Sequence, residues 1–132
     1  MPEVNLLAVL LCGVGSMVLG AIWYAPPVLG KAWQRRVGLT DEALAGGNMA
    51  IIYGGAFLLS LAAAYVFALF IGSDMGVGPS VAAGAAAGLF WVAAAFGINY
   101  LFERRPLALW LINAGYHVLQ FTLFGLILGL MA

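Results

Sequence analysis

His117 is the only histidine in the chain, and Trp110, Asn113, His117 and Gln120 fall on one stripe of a long apolar segment. Residues three, four and seven apart share a helix face, because each residue turns the chain by about 100°. An imidazole in such a setting has three chemistries open to it. It can relay protons, hydrogen-bond a small ligand, or hold a metal or pigment through one ring nitrogen. Three other apolar segments carry stripes of their own: Asn5, Cys12, Ser16 and Trp23; Tyr53, Phe57, Ser60 and Ala64; Gly84, Gly88, Trp91, Ala95 and Asn99. A polar side chain in hydrocarbon costs free energy unless it is hydrogen-bonded, so these stripes are expected to turn inward or toward a partner subunit. The expected polar seam consists of His117, Asn113, Gln120, Ser16, Ser60, Asn99, Trp91 and Tyr53. Ser16, Ser60, Trp91 and His117 lie near mid-depth of their segments, Asn113 and Asn99 nearer one surface, and Gln120 nearer the other.

The surrounding residues narrow that chemistry. None of the four segments contains Asp, Glu, Lys or Arg, so a carboxylate-driven proton pump lacks its carrier. A serine–histidine hydrolase lacks the acidic group that would orient the imidazole. A metal centre lacks a second histidine or a carboxylate, unless copies of the chain supply them. Cys12 is the sole cysteine, which excludes a disulfide framework and a multi-cysteine metal site, and it reads as a small buried hydrophobe. No catalytic residue, metal or cofactor is expected. The plain alternative for His117 stays open: a neutral imidazole bonded to Ser16, Ser60 or Asn113 that joins helices.

The elements that must position these residues follow from composition. Hydrophobic residues make up 65% of the 132 residues and charged residues 8%, against about 25% charged in soluble domains. A span needs roughly 20 apolar residues, since the hydrocarbon core is about 30 Å thick and each helical residue rises about 1.5 Å. Residues 4–25, 49–72, 80–102 and 107–131 qualify, and helix is the default because lipid offers no partner to an open strand edge. The expectation is an all-α, single-domain bundle of four transmembrane helices over residues 1–132. The first segment follows Met1-Pro2-Glu3, with no basic n-region, and reads as a retained span and not as a signal peptide.

Pro26-Pro27, Gly46-Gly47 and Glu103-Arg104-Arg105-Pro106 punctuate the segments, Asn48 and Thr40 are expected helix caps, and Gly72–Pro79 forms a turn with Ser80 as the next cap. All five basic residues fall in two loops: Lys31, Arg35 and Arg36 in the first, Arg104 and Arg105 in the third. The positive-inside rule places both loops in the cytoplasm and both termini outside. Trp23, Tyr24, Tyr100 and Trp110 then form an interfacial belt. The long first loop offers Leu29, Trp33 and Val37 on one side of Val28–Val37, the pattern of a short interfacial helix.

Small residues at four-residue spacing, Ser16/Gly20, Ala56/Ser60/Ala64, Gly84/Gly88 and Gly125/Gly129, let helix backbones approach closely. Gly125 and Gly129 sit far around their helix from His117, so one face can serve the bundle and another a second subunit. The strings Gly20-Ala21-Ile22-Trp23-Tyr24-Ala25-Pro26, Gly30-Lys31-Ala32-Trp33, Asn48-Met49-Ala50 with Tyr53-Gly54, and Asn113-Ala114-Gly115-Tyr116 resemble the bacterial membrane family called domain of unknown function 1761. The resemblance covers nearly the whole chain and implies a small multi-span bacterial membrane protein, with no substrate and no catalytic residue; the expected location is the bacterial inner (plasma) membrane. The expected function is a non-enzymatic, self-associating membrane protein whose seam binds or passes a small molecule. The alternative is an accessory subunit of a larger membrane complex. The bilayer and a homo-oligomer or such a complex are the expected partners, and zero net charge offers nothing to nucleic acid.

Overall fold

The computed structural model describes residues 3–132. Helix α1 (Leu6–Trp23) is capped by Asn5, whose Oδ1 accepts from the Ala8 N–H at 3.1 Å. The other half of that amide donates to the Met131 carbonyl at 3.0 Å, so the first and last spans are tied at one end of the molecule. After Tyr24, Pro26–Gly30 makes a π-turn and leads into α2 (Lys31–Val37), which stops at Gly38 in the left-handed region (φ 80°). Helix α3 (Asp41–Ala45) is capped by Thr40, and α4 (Met49–Ile71) by Asn48. Gly72 (φ 65°) and Gly76 (φ 86°) turn the chain, conformations that a Cβ would disfavour. The third span runs without a break from Val77 to Glu103 as α5 (Val77–Ala87), a π-helical stretch at Gly88–Ala93, and α6 (Ala94–Glu103). Arg104 and Arg105 reverse the chain into α7 (Leu107–Leu130).

Two local expectations change. Ser80 is no cap: the third span begins at Val77, and Ser80 is buried inside it. Pro79 falls in the first turn, where a missing N–H costs nothing. The interfacial helix expected over residues 28–37 is divided at Gly30. Its second half, α2, holds Trp33 edge-to-face on Tyr24 at 5.8 Å and leaves Lys31, Arg35 and Arg36 exposed.

The four spans form an all-α bundle with α7 at its centre, and no strand occurs among the described residues. Helix α1 packs on α4 and α7, the third span packs on α7 along most of its length, and α1 barely meets the third span. Glycines set the α5–α7 distance. A Cβ on Gly84 would fall on the Phe121 carbonyl, and one on Gly125 on the Ser80 carbonyl; one on Gly88 would come within 2.7 Å of the Val118 Cα, and one on Gly129 within 2.9 Å of the Val77 Cα. Both glycine pairs are therefore consumed in one antiparallel contact inside the chain. Gly125 and Gly129, far around α7 from His117, serve the bundle itself in this fold. Gly20 serves another contact, with the Tyr116 ring 3.5 Å from where its Cβ would be.

The apolar core lies toward the termini, where Ala8, Cys12, Ala64, Phe67, Phe124 and Leu128 pack together. Toward loops one and three the interior turns polar and aromatic.

Candidate functional site: a histidine held on a glutamine hub

Gln120 is the hub of the interior. Its Nε2 donates to Ser16 Oγ on α1 at 3.0 Å and to Ser60 Oγ on α4 at 3.2 Å, and its Oε1 lies 2.7 Å from His117 Nδ1 one turn back on α7. Ser16, Ser60 and Gln120 are 0%, 7% and 4% exposed. Ser16 also donates its hydroxyl proton to the Cys12 carbonyl at 3.0 Å. That spends the proton, so Ser16 Oγ accepts from Gln120, and the amide must turn its NH2 to the serines and its oxygen to the histidine. The chain of donors then fixes the tautomer by inference from the network: Nδ1 carries the proton and Nε2 carries a lone pair.

Nε2 has no partner among the described residues. No fully buried side-chain N or O among them lacks a partner, so Nε2 is reachable from outside the packed interior. The ring is half-buried, with Phe96 of α6 at 5.1 Å and Tyr116 at 4.9 Å between centroids.

One turn toward loop three, Asn113 joins three spans. Its Oδ1 accepts from the Tyr24 hydroxyl at 2.7 Å, and its Nδ2 donates to the Tyr100 hydroxyl at 2.9 Å. Tyr100 also lies beneath the Arg105 guanidinium, 5.4 Å from its ring centroid. α1 and the third span each rest on α7 and barely touch each other, so Asn113 links them through the Tyr24 and Tyr100 hydroxyls.

Three aromatic donors fix the helix pairings by reaching helix carbonyls. Trp23 Nε1 donates to Ile112 O at 2.8 Å, Trp110 Nε1 to Ala93 O at 2.8 Å, and the Tyr116 hydroxyl to Ser16 O at 2.9 Å. Each acceptor helix has glycine three or four residues on: Gly115, Gly97 and Gly20. A Cβ there would meet Trp23 at 3.1 Å, Trp110 at 3.1 Å and Tyr116 at 3.5 Å. The missing side chains at Gly115 and Gly97 give the indoles room, whereas a Cβ on Gly20 would only touch the Tyr116 ring.

Of the expected seam, Ser16, Ser60, His117 and Gln120 meet in one network, and Asn113 sits one turn away in a second. Trp91, Asn99 and Tyr53 do not join. Trp91 is 66% exposed and packs edge-to-face on Phe70; Tyr53 is 59% exposed near the start of α4; Asn99 is exposed near the end of α6. The π-helical stretch at Gly88–Ala93 explains the third span's departure. A π turn takes one more residue than an α turn, so the buried stripe passes from Gly84 and Gly88 to Ala93, Gly97 and Tyr100 instead of Trp91, Ala95 and Asn99. Tyr53 and Asn99 lie within about a turn of a loop, at headgroup depth, where a polar end is hydrated. Sequence reasoning missed Phe96 beside the His117 ring and placed Tyr24, Tyr100 and Tyr116 as belt or packing residues. Glycine four residues on from the Ser16 carbonyl is a signal for Tyr116; Phe96, Tyr24 and Tyr100 carry none of that kind.

The described residues contain no group of three or more His, Cys, Asp or Glu able to hold a metal ion. Within the hub Gln120 uses its NH2 on both serines and its oxygen on His117, and the His117 Nε2 lone pair has no partner among the described residues.

Four long apolar helices around a hydrogen-bonded interior define a multi-pass helical membrane protein. The family model described as protein of unknown function (DUF1761) matches residues 7–129, and the chain belongs to that family. No curated protein and no solved structure matches the chain.

Proposed function

We propose that this chain is a non-enzymatic binding protein of the bacterial plasma membrane. Its termini are outside, its first and third loops are in the cytoplasm, and the polar seam around His117 binds a small, weakly polar molecule. The carrying observation is His117: Gln120 holds Nδ1 at 2.7 Å while Nε2 stays reachable and without a partner. A purely adhesive histidine would be expected to use both nitrogens. Binding is favoured over passage, because the Gln120 hub closes the interior just beyond His117. The absence of any carboxylate in the spans argues against bond-making chemistry.

The test is native mass spectrometry of the full chain released from membranes, beside His117→Leu. A discrete small molecule held by the wild-type chain and lost from the variant supports the proposal. Lipid alone on both contradicts it.

A second reading has its own support. A shallow apolar groove of about 550 Å³ runs between α1 and α7, lined by Val14, Gly15, Val18, Leu123 and Ile127 among others. A homo-oligomer or a larger membrane complex would cover it. Cross-linking in membranes through cysteine at Val18 tests this, and an exclusively monomeric product removes it.

A further inference from the structure

At the end of the molecule that carries loops one and three, most of the cations have no carboxylate partner. The ion pair found among the described residues joins Arg105 to Glu103 at 2.8 Å. Asp41 accepts from Gln34 Nε2 at 2.7 Å, and Asp41 and Glu42 occupy the first turn of α3, where the helix dipole favours negative charge. Lys31, Arg35, Arg36 and Arg104 are exposed and form no salt bridge among the described residues.

Helix α2 sorts the first three of these. At 100° per residue Lys31 and Arg35 share one face, and Trp33 and Val37 share the opposite one. Exposure follows the same division: Lys31 and Arg35 are exposed, Trp33 and Val37 half-buried. Trp33 holds the apolar face to the bundle through the Tyr24 ring at 5.8 Å, and α2 packs on α7. The Gln34–Asp41 bond ties α2 to α3. The helix is a fixed support, and its outward face carries two like charges about 5–6 Å apart at their Cβ atoms. Such a pair repels unless an anion lies against both.

Depth narrows the choice of anion. Tyr24 donates to Asn113, six residues after the Leu107 start of α7, a rise of about 9 Å. Trp33 rests on that same Tyr24 ring, so α2 is drawn down beside the first turns of α7. The interfacial layer is about 5–8 Å thick on each side of the hydrocarbon core. That places the Lys31 and Arg35 face at the level of the phospholipid phosphates. A phosphodiester without a cation of its own complements two unpaired cations. A choline headgroup brings its own ammonium and gains less.

We infer that the outward face of α2 docks an anionic phospholipid of the phosphatidylglycerol class, its phosphate lying across Lys31 and Arg35 with Arg36 adding to the field. The site is independent of His117 and of the molecule proposed to bind there.

The test is native mass spectrometry of the full chain in micelles with equimolar phosphatidylglycerol and phosphatidylcholine of identical acyl chains. The wild-type chain should retain phosphatidylglycerol in preference by about tenfold or more, since each cation near an anionic surface contributes severalfold. Equal retention of the two lipids overturns the inference without recourse to any variant. Lys31→Gln combined with Arg35→Gln should bring the two lipids to within about twofold of each other. Arg104→Gln combined with Arg105→Gln removes as much charge from the same end and should leave most of the preference. An equal loss in both double variants would mean diffuse attraction to a charged end, and no site on α2. Inorganic phosphate at millimolar concentration should not displace the lipid; if it does, the face takes a soluble anion and the lipid assignment falls. A poly-glutamate peptide that displaces phosphatidylglycerol from the wild-type chain, but not from the Arg104/Arg105 variant's α2-deficient counterpart, would assign the face to an acidic protein segment and overturn the inference as well.

Discussion

Gly84 and Phe121 meet backbone to backbone, so a Cβ at residue 84 would fall on the Phe121 carbonyl. A backbone carbonyl cannot rotate aside, and the third span must move off α7. Gly84→Ala is expected to destabilise the chain by about 1–3 kcal/mol, the usual cost of overpacking. Gly54→Ala meets nothing within 4 Å, and helix propensity alone favours alanine there by up to ~1 kcal/mol. Unfolding by SDS titration in mixed micelles should separate the two variants in opposite directions. A Gly84→Ala midpoint at the wild-type value would contradict the close α5–α7 contact.

Gln120 holds Ser16, Ser60 and His117 at once. Interhelical hydrogen bonds in membranes average about 0.6 kcal/mol each. Gln120→Leu, which removes all three, is expected to cost roughly 2 kcal/mol, and Ser60→Ala, which removes one, about 0.6 kcal/mol. In the same titration, combining Ser60→Ala with Gln120→Leu should add little to Gln120→Leu alone, because the shared bond is already gone. Fully additive losses would place Ser60 outside the network.

Trp110 donates to the Ala93 carbonyl with its Nε1 only 3.1 Å from where a Cβ on Gly97 would be, so the glycine lets the indole lie this close. Gly97→Ala is expected to displace the indole and expose its N–H. The Trp110 indole proton should then exchange faster with solvent by NMR. Trp110→Phe should cost about 1 kcal/mol, one net hydrogen bond, and much less when made on Gly97→Ala. Unchanged exchange in Gly97→Ala would show that the glycine is not what admits the ring.

The spans were legible because charge is absent from them and crowded into the loops, a signal that needs no geometry. The cap at Asn48 was legible because the polar residue stands directly before an apolar run, and the cap at Thr40 because the acidic pair Asp41-Glu42, favoured in a first turn, follows it directly. Ser80 misled: Gly78-Pro79 looks like a turn in sequence, yet proline is at ease in the first turn of a helix. The stripes of α1, α4 and α7 followed from a constant 100° step and brought Ser16, Ser60, His117 and Gln120 together. The third span did not keep that step. No residue type announces a π turn, so Trp91 and Asn99 were assigned to a face that Ala93 and Tyr100 occupy instead. Pairings between helices, such as Tyr24 with Asn113, depend on rotation and register that one sequence does not carry.

Orientation has its own test. In a Cys12→Ser background, Asp74→Cys should react with a membrane-impermeant maleimide on intact cells, and Arg104→Cys only after the membrane is opened. The expectation rests on all basic residues lying in loops one and three. The reverse labelling pattern would invert the proposed topology, whereas the Gln120 network would be unaffected.

The account turns on which nitrogen of His117 carries the proton, and ¹⁵N-histidine NMR of the full chain in lipid reads it directly. With a single histidine in the sequence, the spectrum needs no assignment. The account predicts a protonated, pyrrole-type Nδ1 and a bare, pyridine-type Nε2, with the protonation lost from Nδ1 when Gln120→Leu removes its acceptor. A wild-type ring protonated at Nε2 would contradict it, because the open lone pair on which the site depends would not exist.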